Sequence, residues 1–361
     1  MGITGLLPIV KKTLEKKHIS EFKNRRIGID GFPWLYQILN TVAEELFYNI
    51  ATTKYVIMFE KRIKSLLSHS VVPVVVFDGD YLIAKEKTNL ERTQRKEKYR
   101  KEVESYIARK NHAKARELMK RCIGVSKEIV YEITKVLVKH NVEYIIAPYE
   151  ADAQLFYLEK RGYIDCIMTE DSDLIPYGCS NILFKFDGSY VDYYKVECLE
   201  KSKDKVFKEY IQDICILSGC DYVDSIPGIG IQTAHKLISK TQNLNEIIKQ
   251  ISLKKRIPEN YLEEYRKAKL TFRCQIVFDP VDKIRRHLNP PEEIVDFLGT
   301  LEDVEYIVEI ALKNSVLGED KKVIKVQRHF QPSEIKMKEV KITDKKVFLE
   351  IDKNKTSPYF K

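Results

Sequence analysis

Through the first two-thirds of the chain, short apolar runs rich in β-branched residues alternate with longer stretches in which apolar positions recur at helical spacing. That alternation predicts an α/β fold with a mostly parallel sheet flanked by helices, because parallel neighbours need a crossover long enough to hold a helix. The clearest strands are predicted at Arg26–Asp30, Val71–Phe77, Val142–Ala147 and Ile164–Thr169. From about 79 to about 129 the pattern turns helical, heavily charged and poor in apolar positions, which predicts helices standing off the sheet. A second helical unit starts at Phe207, with one helix ending near Ser218-Gly219, a turn through Pro227-Gly228-Ile229-Gly230 and another helix beginning near Gln232. Past Leu317 apolar periodicity fades and lysines dominate, which predicts a flexible tail. The expected division is an α/β domain at 1–206, a helical region at 207–317 and a basic tail at 318–361.

Carboxylates follow each predicted strand at once: Asp30, then Asp78, then Glu150 and Asp152, then Asp171 and Asp173. In an open α/β sheet, ligands bind beyond the carboxyl ends of the strands, so these six acids are expected to line one edge. Asp221, in Ser218-Gly219-Cys220-Asp221-Tyr222, makes a seventh. Seven converging carboxylates repel one another unless cations neutralise them, and an all-oxygen set without His or Cys suits Mg²⁺ or Mn²⁺ rather than zinc. Two such ions about 4 Å apart activate a water and stabilise the leaving oxygen in phosphoryl displacement. The competing explanation for any single acid is helix capping or turn formation. Against it stand the paired acids Glu150-Ala151-Asp152 and Asp171-Ser172-Asp173, whose spacing lets both members face the crevice at a strand-to-helix junction.

Charge sharpens the picture. The 361 residues carry a formal net charge of +9, yet the segment from Lys85 to Arg121 alone holds fourteen Lys and Arg against six Asp and Glu. A positive arm on an otherwise acidic body suggests an anionic partner, although such a run also describes a solvated helix face. Seven cysteines without a C-x-x-C pair indicate neither a disulfide framework nor a zinc site, and a reducing compartment is expected. No apolar run reaches transmembrane length, the N-terminus lacks a secretory pattern, and Leu6 breaks the myristoylation motif, so no membrane association is expected.

Five segments carry a family resemblance: Met1-Gly2-Ile3-Thr4-Gly5-Leu6-Leu7, Val76-Phe77-Asp78-Gly79, Ala147-Pro148-Tyr149-Glu150-Ala151-Asp152-Ala153-Gln154, Thr169-Glu170-Asp171-Ser172-Asp173-Leu174 and Cys215-Ile216-Leu217-Ser218-Gly219-Cys220-Asp221-Tyr222. In order and spacing, from Met1 to roughly Leu317, they resemble the exonuclease 1 branch of the flap endonuclease (XPG/Rad2-type) 5′ nuclease superfamily. The resemblance implies a PIN-like 5′ nuclease fold with a helical arch at about 79–129 and a helix–two-turn–helix unit that grips duplex DNA. It implies that Asp30, Asp78, Glu150, Asp152, Asp171, Asp173 and Asp221 hold two Mg²⁺ ions, for which Mn²⁺ can substitute. Lys85 and Arg92 would contact the scissile phosphate from the arch base, and Arg95 and Arg121 would guide the strand. Gly2 would sit near the substrate. Gly228 and Gly230 would approach the duplex backbone at a helix N-terminus, with a K⁺ ion held at Ser225 and Ile229.

The implied activity is Mg²⁺-dependent 5′→3′ excision on double-stranded DNA with cleavage of 5′ flaps, by a nuclear, monomeric repair enzyme acting at nicks, gaps, 5′ ends and flaps. The chain departs from the family at two points: Phe32 stands where Tyr is common and Tyr36 where His is common. Both can still stack on or wedge bases where the duplex opens, and both could instead be core residues beside Trp34. In the tail, Ser357, Tyr359 and Phe360 resemble short aromatic peptides that dock onto MutL-type mismatch-repair partners. Two rivals remain at this point, a replication-type flap endonuclease and a catalytically idle junction-binding protein; retention of all seven acids disfavours the second.

Overall fold

The computed structural model describes residues 2–200, 204–301, 315–317, 323–325 and 338. Helix α1 (Leu6–Val10) leads to strands β1 (Glu15–His18) and β2 (Arg26–Asp30), after which α2 (Gly31–Leu39), α3 (Ala43–Phe47) and α4 (Lys54–Ser68) cross to β3 (Val72–Phe77). A charged hairpin of α5 (Glu86–Ala108) and α6 (His112–Cys122) precedes α7 (Lys127–Lys139) and β4 (Glu143–Ile146). Next come α8 (Ala151–Lys160), β5 (Cys166–Met168), α9 (Leu174–Tyr177), β6 (Asn181–Phe184) and β7 (Tyr190–Lys195). The remainder is helical through α10 (Val196–Glu200), α11 (Lys205–Glu209), α12 (Ile211–Ser218), α13 (Ile231–Lys240), α14 (Leu244–Ser252) and α15 (Tyr261–Cys274), closed by strands β8 (Ile276–Asp279) and β9 (Ile284–His287). Farther on, β10 (Ser315–Leu317) pairs with β11 (Val323–Lys325), so regular backbone continues past Leu317, where the sequence pattern suggested none.

The central sheet runs β1-β7-β6-β5-β2-β3-β4. Its middle, β6-β5-β2-β3-β4, is parallel, while β7 and β1 add antiparallel strands at one edge. Chain order moves outward from β2 through β3 to β4, then returns to place β5 on the other side of β2. This reversal is the topological switch point at which helices leave on opposite faces and a crevice opens beyond the strand ends.

Each face of the sheet carries its own core. Ile27, Ile29, Val75 and Phe77 pack with Trp34, Phe59, Ile63 and Ile133 under α2, α4 and α7. On the other face Val74, Val76, Ile145 and Ile167 join Leu155 and Phe156 of α8, and the same apolar cluster continues without a break into α12, α13, α14 and α15. Polar clamps reinforce that junction: the Gln154 amide donates to the Phe278 carbonyl at 2.8 Å and accepts from its N–H at 2.7 Å. Asp213 of α12, buried, takes hydrogen bonds from Tyr265 and Lys269 of α15 at 2.6 and 2.9 Å.

The α5–α6 hairpin is built differently. The 23 residues of α5 bury only Val103, which joins Ala115, Leu118 and Met119 of α6 and Ala43 of α3 in a small separate cluster. The sparse apolar content of this stretch leaves it nothing with which to pack on the sheet. All seven cysteines are free, and among the described residues no helix is long and apolar enough to cross a membrane.

Candidate active site

The strand ends deliver carboxylates to one place. Asp30 closes β2, Asp78 follows β3, Glu150 and Asp152 open α8, and Asp171 and Asp173 lie between β5 and α9. The loop after α12 adds Asp221. Asp30, Asp78, Glu150, Asp152, Asp171 and Asp221 line a cavity of about 480 Å³ together with Lys85, Arg92, Phe32 and Tyr36. Asp173 does not line the cavity; it lies beside Asp171, and its Oδ1 accepts the Ile3 N–H at 2.8 Å.

Local structure decides between capping and chemistry. Asp30, Glu150 and Asp173 each occupy the N-cap position of a helix, and none of them caps that helix with its side chain. Their hydrogen bonds go elsewhere: Asp30 accepts from Thr169 Oγ1 at 2.9 Å, and Asp78 accepts the first N–H of α8, from Ala151, at 2.7 Å. Asp171 accepts the Asp173 N–H at 3.1 Å, folding the loop so that both carboxylates stay with the cluster. These acids are held toward one another at the expense of the caps they could have made.

Burial and mutual repulsion disfavour the charged forms. The Asp30 carboxyl is held well above the ordinary range by burial and by Asp78 and Asp171. Asp152 and Asp173 are likewise pushed well up, first by burial and then by neighbouring carboxylates, and Asp171 is raised chiefly by burial. Burial lifts Asp78 to about 6 despite the opposing charge of Lys85. Asp221 alone is lowered: burial works against it, but Lys85 and Arg92 together prevail. Lys85 bonds Glu150 Oε1 and reaches Asp221 Oδ2 at 2.8 Å, and its ammonium is held firmly charged by these acids against the cost of burial.

Three cations, Lys85, Arg92 and Lys96, among seven acids leave a deficit of positive charge. Among the described residues, no three side chains close into a single preformed metal shell in this side-chain arrangement. The donor chemistry nonetheless fits hard divalent cations, since every acidic group here is a carboxylate and burial, with mutual repulsion behind it, raises the proton affinity of several of them.

The other predicted residues divide. Phe32 and Tyr36 lie half-buried on the cavity wall, with ring centroids 6.5 Å apart, whereas Trp34 between them turns away to stack on Phe186. Phe32 also packs against the core that holds Trp34, with its ring centroid 6.4 Å from that of Phe77, so it belongs to both the core edge and the cavity wall. Gly2 packs against Asp171 and Ser172 so closely that a Cβ would stand 2.2 Å from Asp171 Oδ1, and its φ of +95° also favours glycine. Arg95 is exposed on α5, and Arg121 donates to the Tyr99 hydroxyl at 3.0 Å while lying over that ring. Gly228, Gly230, Ser225 and Ile229 sit in the turn before α13; Gly230 is the N-cap residue, and no Cβ there would meet anything within 4 Å. Ile229 is buried and bonds back to Ile226 at 2.8 Å. Ser357, Tyr359 and Phe360 lie outside the described residues.

Sequence reasoning missed Lys96, Asn89 and Thr93, which line the same cavity. With Lys85 and Arg92 they fall at i, i+4, i+7, i+8 and i+11, one face of a helix, and that spacing was the available signal. Lys96 is half-buried, and both burial and Arg92 lower its proton affinity.

The family signature of the XPG N-terminal domain matches residues 1–99, and that of the XPG I-region matches 141–221. An Arabidopsis thaliana exonuclease 1 is 36% identical over 315 residues, covering 85% of this chain and 42% of its own length. The Saccharomyces cerevisiae DNA damage-inducible protein DIN7 is 31% identical over 308 residues, covering 80% of this chain and 69% of its own length. The chain thus spans less than half of the Arabidopsis relative and two-thirds or more of the yeast one. Among solved structures, the catalytic core of Rad2 in complex with DNA substrate superposes with a TM-score of 0.54 at 23% identity, over 74% of this chain and 79% of that one. Sequence over most of the length, together with the fold, makes the chain a member of the XPG family of 5′ nucleases, on its exonuclease 1 branch.

Proposed function

We propose that the chain is a divalent-metal-dependent phosphodiesterase that removes nucleotides 5′→3′ from duplex DNA and cleaves 5′ flaps. The observation that carries this reading is the convergence of six carboxylates on one cavity faced by Lys85 and Arg92, with Asp173 beside them. Asp30, Asp78, Glu150, Asp152, Asp171, Asp173 and Asp221 would hold two Mg²⁺ ions, or Mn²⁺ in their place, which supply an activated water and charge neutralisation at the scissile phosphate. Lys85 and Arg92, paired with Glu150 and Asp221, stand where non-bridging phosphate oxygens would compete for their donors. Charge developing on those oxygens strengthens both contacts in the transition state. Phe32 and Tyr36 stack on bases at the cavity wall, and the Gly2 backbone lets the strand approach Asp171 closely.

Division of labour follows the chain. Residues 1–206, joined by Asp221 of the second unit, carry hydrolysis, with the arch at about 79–129 steering the strand through Arg95 and Arg121. Residues 207–317 hold the duplex, through Gly228 and Gly230 at the start of α13 and a K⁺ ion at Ser225 and Ile229. The basic tail, 318–361, presents Ser357, Tyr359 and Phe360 to a MutL-type partner. A monomeric nuclear enzyme of DNA repair, working at nicks, gaps, 5′ ends and flaps, suits these assignments. Incubation of purified protein with end-labelled nicked, gapped and flapped duplexes should give 5′-phosphorylated products only with Mg²⁺ or Mn²⁺; equal cleavage in excess chelator would refute the mechanism.

A further inference from the structure

Glu150 is held by more than Lys85. Its Oε2 accepts hydrogen bonds from the Tyr222 hydroxyl at 2.5 Å and from Gln275 Nε2 at 2.9 Å. Tyr222 in turn lies 2.9 Å, oxygen to oxygen, from the Tyr177 hydroxyl, and the rings of both tyrosines pack edge-on against Phe272. Gln275 is fully buried at the junction of α15 and β8, where its backbone carbonyl accepts the Leu288 N–H. Both Gln275 and Tyr222 lie outside the two segments that match the family signatures.

A core spacer at Gln275 needs no amide, and this amide has one end on Glu150 while its Oε1 has no protein partner. Burying a half-satisfied amide costs stability, and a fixed carboxylate is what the arrangement obtains in return. Three donors spread over two oxygens lock the Glu150 carboxylate in one orientation. Mg²⁺ tolerates little deviation from octahedral geometry, so the orientation of a ligand carboxylate governs how tightly the ion is held.

We propose that Gln275 and Tyr222 are positioning residues that aim Glu150, so that the helical second half completes the acid site in addition to holding DNA. This rests on the reading of Glu150 as a metal-holding acid. The test uses the full chain carrying Gln275→Met or Tyr222→Phe; the latter keeps the ring against Phe272 and so preserves packing. Mn²⁺ binding without DNA is followed by the electron paramagnetic resonance signal of the free ion, and single-turnover cleavage is titrated with Mg²⁺. Each variant should weaken Mn²⁺ binding about tenfold and move the Mg²⁺ midpoint upward by a similar factor, with most of the rate recovered at saturating Mg²⁺. Should Gln275→Met fail to fold, Tyr222→Phe decides alone. Variants that match an active wild type in Mn²⁺ affinity and Mg²⁺ midpoint overturn the positioning role; a wild type that binds no Mn²⁺ overturns the metal reading and this inference with it.

Discussion

Arg92 Nη2 donates to both carboxylate oxygens of Asp221, at 3.0 and 2.8 Å, and thereby joins α5 to the loop after α12. Lys85 makes the parallel link to Glu150 and Asp221. If phosphate replaces these carboxylates in the complex, Lys85→Ala and Arg92→Ala should each slow single-turnover cleavage about 10²–10³-fold while changing DNA affinity only a few-fold. Rapid-quench kinetics beside fluorescence anisotropy distinguish the two effects, and a loss confined to binding would remove both residues from the chemistry.

The acid cluster predicts an inverted dependence of stability on pH in the presence of chelator. Asp78, raised to about 6, is charged in the fold at neutral pH at a cost the unfolded chain does not bear. That cost is absent below the unfolded value and present in full above the folded one. Lowering the pH from 7 toward 5 should therefore stabilise the metal-free protein, by about 1 kcal/mol from this group alone, with the rest of the gain coming only as the pH falls below the unfolded value. Asp78→Asn should be more stable than wild type at pH 7, lose part of the pH response and abolish cleavage. Urea titrations at several pH values, with and without Mg²⁺, would show a gain from Mg²⁺ in wild type that shrinks in the variant.

Lys96 and its neighbours on α5 should separate by face. Lys96 lines the cavity, whereas Lys98 and Lys101 are exposed. Lys96→Met should reduce the single-turnover rate as well as affinity. Replacing both Lys98 and Lys101 with Ala should chiefly flatten the slope of log affinity against log salt by up to about two, one for each phosphate no longer neutralised. Binding isotherms between low and moderate salt provide the measurement.

Removal of the buried Asp213 carboxylate should destabilise the fold more than any single arch substitution. Asp213→Ala leaves Lys269 and the Tyr265 hydroxyl without this acceptor inside the second core, and the resulting destabilisation amounts to about 3–5 kcal/mol. Equilibrium urea unfolding would register the change.

Deletion of residues 356–361 should leave nuclease turnover on a nicked duplex unchanged and weaken capture by an immobilised MutL-type protein. Undiminished capture would dismiss the tail aromatics as the docking element.

Much of the site was legible because its carriers are local. The runs Arg26–Asp30 and Val72–Phe77 declare themselves as buried strands, and the acids that follow them need only the rule that ligands gather at strand ends. Gly219, with φ +95°, ends α12 where the Ser218-Gly219 pair suggested. The edge strand β1 was not legible, since Glu15-Lys16-Lys17-His18 has no apolar face and pairs only because β7 supplies a ladder. Lys96 was hidden among the many cations of α5 until the helical phase through Lys85 was drawn. Gln275 gave no local sign at all, because its partner lies 125 residues away and a buried amide looks in sequence like any surface glutamine.

The contrast between the two halves of the site bears on timing. An apolar core that passes unbroken from the sheet into α12–α15 forbids a hinge there, so those parts must open together or not at all. The α5–α6 hairpin, with Val103 as the only buried side chain on its longer helix, can exchange its amide hydrogens through local opening at little cost. A free 5′ end would then meet Lys85 and Arg92 anchored at the base of a fluctuating arm, and closing of that arm around the strand, rather than motion of the acids, would set when hydrolysis begins.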